Sequence, residues 1–253
     1  MTTHVIADTT ALTTRSLRHI LRSPDTIITT AVMPIGILLL FVFVLGGAID
    51  TGSQSYIDYL LPGILLITIA SGVSYTAYRL FLDLQGGMFE RFQSMPIARS
   101  SALWAHVLTS LAANLVSLAI VIGVAFLLGF RSGAGVLAWL AVVGILLLFT
   151  LSLTWLAVFA GLAAKSADGA ITFSYPLIFL PFISSAFVPT DTMPGPVAWF
   201  AKYQSVTRIG DTISALFAGQ RVGGDIWIAL AWMAGILLVG CVLAMLCLCP
   251  RIR

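Results

Sequence analysis

The chain has 253 residues, of which 59% are hydrophobic and only 9% charged, with a formal net charge of +3 and a mean hydropathy of +1.05. A soluble domain carries roughly a quarter charged residues, so the composition excludes a water-soluble globular protein and places the chain in a bilayer. The small net charge gives no basis for nucleic-acid binding, and the length suits one polytopic unit spanning residues 1–253.

Residues 1–25 lack an apolar core beside a basic n-region and a small-residue cleavage site, so they do not read as a cleavable signal peptide. Asp8 instead caps a helix over residues 8–22, with Arg15, Arg18 and Arg22 on one face and Leu17, Ile20 and Leu21 on the other. That amphipathic pattern predicts a helix lying in the membrane interface. A solvated tail is the alternative. Ser23, Pro24 and Asp25 break the helix and restart the chain.

Six stretches then lack Asp, Glu, Lys and Arg altogether: Thr26–Ile49, Tyr59–Tyr78, Ser100–Phe130, Ser132–Ala164, Gly169–Thr190 and Ile226–Pro250. Each provides the ~20 residues that a helix needs to cross a hydrocarbon core. The expected fold is an all-α integral membrane protein with six transmembrane helices. If the spans alternate, Arg15, Arg18, Arg22, Arg79, Arg91, Arg99, Lys165, Arg251 and Arg253 share one side, and Arg131, Lys202, Arg208 and Arg221 the other. Nine basic residues against four put both termini in the cytoplasm.

Two connections stand out. The internal segment, residues 79–99, contains Asp83, then Gly86 and Gly87 for a sharp turn, then Met88, Phe89, Glu90, Arg91 and Phe92, and is closed by Pro96. Aromatics flanking Glu90 and Arg91 form a compact cytosolic knob suited to docking a partner. A membrane-surface turn with its phenylalanines in lipid is the other reading. The external segment, residues 189–225, holds Pro189, Pro194 and Pro196, a Trp199-Phe200 pair, and apolar positions at Ile209, Ile213, Leu216 and Phe217 with helical spacing. It predicts one or two short helices that lie in, or re-enter, the outer leaflet.

Cys241, Cys247 and Cys249 lie toward the cytoplasmic end of the last span, and their odd number on the reducing side argues against a disulfide framework. They read as small apolar fillers, and no metal site is expected. Pro34, Pro62, Pro176 and Pro181 lie within or at the ends of spans and predict kinks. Small residues around Ala112, Gly135–Gly144 and Gly161 allow close helix approach.

No G-x-x-x-x-G-K-[ST] run occurs, so the chain does not cradle nucleotide phosphates itself. Ion-driven carriers place acids in mid-membrane; these stretches hold none, and His106, near the start of the third, is their one side chain that titrates near neutral pH, the terminal cysteines and the tyrosines doing so only at higher pH. The sequence sets no acid beside it, so it reads as a packing residue and an integral-membrane enzyme is disfavoured. The spans look passive, their work delivered from outside.

In order and spacing, these features resemble the transmembrane permeases of ABC-2 type exporters, in the drug-resistance branch typified by daunorubicin efflux permeases. The resemblance rests on the basic helix before Ser23-Pro24-Asp25, Met33-Pro34-Ile35 with Gly46-Gly47, and Tyr59-Leu60-Leu61-Pro62-Gly63. It continues through Asp83, Gly87, Glu90-Arg91-Phe92, Met95-Pro96-Ile97 and Arg99, to Phe187-Val188-Pro189 and Met193-Pro194. Gln204-Ser205-Val206-Thr207 departs from the Asn-Pro-Val-Thr type sequence often found there.

The resemblance implies a bacterial cytoplasmic-membrane permease that is not itself an enzyme. It would pair with a second permease, identical or similar, and with two cytosolic ABC ATPase subunits that bind ATP and Mg. Asp83, Gly87, Phe89, Glu90, Arg91, Phe92 and Pro96 become the expected ATPase-coupling set. The span walls favour a hydrophobic or amphipathic drug-like cargo, with a lipid or lipid-linked metabolite as the alternative. A channel or assembly factor outside the ABC class is a further alternative. Thr172, Ser174, Tyr175, Ser184 and Ser185 give the fifth stretch a mildly polar stripe, the candidate substrate path.

Overall fold

The structure, a computed structural model, describes residues 24–46, 55–86, 99–187, 193–220 and 222–248. The expected interfacial helix with Arg15, Arg18 and Arg22, and the coupling residues Gly87, Phe89, Glu90, Arg91, Phe92 and Pro96, lie outside the described residues. Within them the elements are helical in order: α1 (Pro24–Leu40) running into a π-helical turn at Phe41–Leu45, α2 (Tyr56–Gln85), α3 (Arg99–Leu127), α4 (Val136–Ala163), α5 (Ala167–Thr172), α6 (Tyr175–Phe179) with a 3₁₀ turn at Leu180–Ile183, α7 (Gly195–Tyr203), α8 (Ser205–Phe217) and α9 (Asp225–Leu248).

Four of these, α2, α3, α4 and α9, are long and apolar enough to cross a membrane. They correspond to the second, third, fourth and sixth uncharged stretches. The first stretch becomes a shorter helix that contains Pro34 and loosens to i→i+5 bonding at Phe41–Leu45. The fifth is not one continuous helix. Pro176 sits at the start of α6 and Pro181 inside the 3₁₀ turn; each lacks an N–H and clashes with the preceding turn, so the segment is broken into pieces.

Ser185 at the far side of that broken segment meets Tyr59 at the start of α2, whereas Gly161, just before it, packs on Ala77 and Leu80 near the end of α2. Residues 167–187 therefore return the chain from the end of the bundle marked by Asp83 to the end marked by Asp211. Helix α9 then begins at the Asp211 end, where Asp225 pairs with Arg208, and runs back until Ala244 joins the cluster near Leu80.

Helix α2 is the centre of the bundle. In its most apolar window 89% of residues are buried, against 33% for α3, 39% for α4 and 22% for α9. The outward faces of those three carry Trp104, Leu115, Phe126, Leu137, Leu140, Trp227, Trp232, Leu238 and Leu246, all exposed. So broad an apolar surface suits lipid and not water.

The core divides into two clusters. The larger joins α1, α2, α3, α4, the broken segment, α8 and α9 through residues such as Leu61, Leu65, Val121, Phe149, Phe187, Ile209 and Met233. The smaller, toward the Asp83 end, comprises Leu80, Leu103, Val107, Trp155, Val158, Leu162 and Ala244, with Cys241 and Cys247 packed against it. Where helices touch most closely, glycine permits it. A Cβ on Gly161 would lie 2.9 Å from the Ala77 carbonyl oxygen, and one on Gly63 would lie 2.5 Å from the Phe187 ring.

Candidate functional site

Polar groups gather at three depths of the bundle. In the interior, buried hydroxyls satisfy themselves by donating to the carbonyl one turn back: Thr68 to Ile64, Ser74 to Ala70, Thr150 to Leu146 and Thr154 to Thr150. This is how a hydroxyl is accommodated in a helix away from water. Four buried hydroxyls go further and meet groups of other helices. Thr76 of α2 lies 2.8 Å from Ser110 Oγ of α3, which is 3.3 Å from Thr154 of α4. Asn114, one turn on, donates within α3 to the Ser110 carbonyl at 3.0 Å. Its Oδ1 has no partner and presses against Gly72, where any Cβ would come within 2.2 Å. On the other side of α4, the Ser152 hydroxyl is shared between the Leu148 carbonyl (2.7 Å) and the Met233 carbonyl of α9 (2.9 Å).

At the Asp211 end a denser network ties the short helices to the long ones. Tyr59 donates to the Ser185 carbonyl at 2.5 Å, and Ser185 donates through its hydroxyl to Asp211 Oδ1 of α8 at 2.6 Å. Arg208, one turn before Asp211, pairs with Asp225 at 2.6 Å. Asp58 accepts from the Arg131 backbone N–H at 3.4 Å, linking α2 to the turn between α3 and α4. Gln204 donates to the Ile183 carbonyl at 2.9 Å, and Thr207 donates to the Ala201 carbonyl at 2.6 Å, so the α7–α8 corner is fastened to the broken segment. Asp58, Arg131, Asp211, Ser214, Phe217 and Gln220 contribute to the lining of a cavity of about 270 Å³.

Asp211 opens onto that cavity, yet the atoms crowding its carboxyl raise its pKa. Burial is the largest cause, opposed by the Ser185 hydrogen bond and the Arg208 charge and reinforced by the nearby Asp225. The neutral acid is thus favoured beyond its ordinary range.

At the opposite end, His106 Nε2 of α3 lies 3.3 Å from Asp83 Oδ2 of α2. The expectation that no acid accompanies His106 is therefore corrected: helix packing supplies one from another element. Arg79, one turn before Asp83, sits over the Tyr75 ring at 5.9 Å. Of the expected coupling residues Asp83 is the one within the described residues, in the last turn of α2.

The expected substrate-path residues divide between environments. Thr172 and Tyr175 are exposed, Thr172 donating to the Asp168 carbonyl at 2.7 Å. Ser174 is fully buried and its hydroxyl has no partner. Ser184 is also fully buried, donating to the Pro181 carbonyl at 2.5 Å, while Ser185 belongs to the Asp211 network. The interhelical hydroxyl group of Thr76, Ser110 and Thr154 had no distinctive sequence signal. Isolated Ser and Thr are common in spans, and only their shared depth sets these apart.

Among the described residues no group of three His, Cys, Asp or Glu is placed to hold a metal. Among the described residues the buried polar ones are Ser, Thr, Asn and Gln, without a charged side chain among them. The described interior can accommodate apolar surface and a few neutral polar groups, and its described residues offer no fixed charge at mid-depth.

Comparison with known proteins agrees with this arrangement. The chain is 27% identical over 220 residues to the daunorubicin resistance ABC transporter permease protein DrrB1 of Streptomyces coeruleorubidus, covering 85% of this chain and 77% of the relative. It is 25% identical over 237 residues to the probable doxorubicin resistance ABC transporter permease protein DrrC of Mycobacterium tuberculosis, covering 92% of this chain and 85% of that protein. The profile of the ABC-2 type transporter family matches residues 7–217. By that match, which spans most of its length, the chain belongs to the ABC-2 type transporter family.

Proposed function

We propose that the chain is the transmembrane permease subunit of an ATP-driven exporter that moves a hydrophobic or amphipathic, drug-like small molecule out of a bacterial cell. The family match over residues 7–217 carries this reading. It is supported by the similarity to two drug-resistance permeases and by a buried interior whose described polar groups are all uncharged. A wall of that kind holds an amphipathic ligand at low desolvation cost and gives a coupling ion no charged partner.

In this reading the chain crosses the cytoplasmic membrane six times, α1 and the broken segment 167–187 completing the four long helices, with the Asp83 end and both termini facing the cytoplasm. A second permease, identical or similar, completes the conduit. Two cytosolic ABC ATPase subunits bind ATP and Mg and engage Asp83, Gly87, Phe89, Glu90, Arg91, Phe92 and Pro96, while the leading helix with Arg15, Arg18 and Arg22 lies beside them. ATP favours the closed ATPase pair, and that differential affinity shifts the permeases between inward-open and outward-open states. Thr172, Ser174, Tyr175, Ser184 and Ser185 border the cargo's route.

Affinity purification of the tagged chain from its native membrane tests this directly. An ABC ATPase should copurify, and vesicles containing the complex should move doxorubicin in an ATP-dependent manner. Doxorubicin movement by the chain alone, powered by an ion gradient, would refute the proposal.

A further inference from the structure

The Asp83–His106 pair sits where two helices leave the bundle toward the same connection. Asp83 lies in the last turn of α2, which ends at Gln85, and His106 lies two turns into α3, which begins at Arg99. Along the chain, a displacement of the residues between those helices is passed to the bundle through these two roots. A neutral imidazole with its proton on Nε2, or an imidazolium, can donate to the Asp83 carboxylate, so the link does not depend on one charge state of His106.

The surroundings suit a transmitting link better than a stabilising one. The Asp83 side chain is 34% exposed and can exchange its partner for water at modest cost, whereas His106, at 18%, is held more firmly in the bundle. The hydroxyls of Thr76, Ser110 and Thr154, one or two turns deeper, are buried and have no such freedom. Just beyond the pair, Leu80 of α2 and Leu103 and Val107 of α3 pack with Trp155, Val158 and Leu162 of α4 and with Ala244 of α9. Gly161 draws α4 onto the Ala77 carbonyl at the same level. With its two roots held together, a push on the connection moves α2 and α3 as one body against α4 and α9. With the roots separate, the same push splays them.

We propose that Asp83 and His106 are positioning residues for energy coupling: their hydrogen bond joins the roots of the α2–α3 connection so that ATPase movement is passed to the bundle and not dissipated between two helices. The role rests on the permease reading above.

The test uses the full chain with its copurifying ABC ATPase in lipid vesicles, reading doxorubicin transported per ATP hydrolysed. Asp83→Ala and His106→Ala should each lower that ratio about fivefold or more. The double variant should be no worse than either single one, because both remove the same link. Placing the partners in reverse, Asp83→His with His106→Asp, should recover part of the ratio, a rescue that general loosening of the bundle does not predict. Thermal midpoints should stay close to wild type, and for His106→Ala, which lies outside the ATPase-contacting set, so should ATPase copurification. If an alanine variant does not assemble, His106→Asn, too short to reach Asp83 yet polar enough for the site, is read by the same criterion. An unaltered ratio in the single variants, or losses that multiply in the double variant, would overturn the role while leaving the exporter reading intact. A wild-type complex that hydrolyses ATP without moving doxorubicin removes both.

Discussion

The Tyr59 hydroxyl reaches across 126 positions of sequence to the Ser185 carbonyl, at 2.5 Å. This bond fastens the first turn of the central helix α2 to the segment that follows the 3₁₀ turn, and through Ser185 to Asp211 of α8.

Tyr59→Phe should therefore loosen the Asp211 end without disturbing the rest. The ring stays packed while one part-buried hydrogen bond is lost, a cost of about 1 kcal/mol. Thermal unfolding in lipid nanodiscs should show a small decrease in midpoint, and hydrogen exchange should rise in α8 and leave α3 unchanged. Equal protection in α8 would mean that the bond contributes nothing.

The two glycines of α4 offer a sharper contrast. A methyl on Gly161 would meet the Ala77 carbonyl oxygen at 2.9 Å and Leu80 at 3.2 Å, and a backbone oxygen cannot step aside as a side chain can. Gly161→Ala should cost about 1–3 kcal/mol. Gly144→Ala meets nothing within 4 Å and should be neutral or slightly stabilising, since alanine loses less backbone entropy in a helix. Unfolding midpoints of the two variants in one detergent, compared side by side, check this ordering.

Asp211 gives the Asp211 end a pH dependence with a definite sign. Its pKa is raised in the folded protein, chiefly by burial, so the folded state holds the proton more tightly than the unfolded one. The associated stability is fully present below the ordinary carboxyl value of about 3.9 and is lost as pH rises through the elevated folded value. Asp211→Asn, which keeps an acceptor for Ser185, should flatten this part of the stability profile. A wild-type and variant pair with parallel pH curves from acid to neutral would contradict it.

The connection between α2 and α3 can be probed independently of the Asp83–His106 pair. Glu90→Ala or Phe92→Ala should abolish drug-stimulated ATP hydrolysis in the reconstituted complex while membrane insertion is retained. Removing residues 1–22 should reduce recovery of the ATPase more than it reduces insertion. Unchanged hydrolysis in the first case, or equal recovery in the second, counts against the corresponding contact.

Much of this arrangement could be read from the chain because lipid excludes charge so strongly. Asp58 and Arg79 bound the second uncharged stretch and fall inside α2 near its two ends, and Arg131 marks the turn between α3 and α4. Ile209, Ile213, Leu216 and Phe217, picked out by helical spacing, form the buried face of α8. In the fifth stretch Pro176 and Pro181 announce the interruption of the ladder, but average hydropathy does not register that it breaks the segment into separate short helices. His106 and Asp83 lie on different helices, so no local pattern in the chain pairs them. Depth measured inward from Arg99 and outward from Arg79 would have set them at one level, but their facing depends on helix rotation, which the chain states only weakly.

A central helix enclosed on nearly every side has a consequence for how the bilayer acts on the molecule. Since α2 is almost entirely walled off by its neighbours, its residues answer to the shapes of other side chains and hardly at all to acyl chains. Thickening or thinning the membrane would strain the peripheral helices α3, α4 and α9 against a core strut that does not sense the change, so lipid composition would enter as a differential load between the rim of the bundle and its axis.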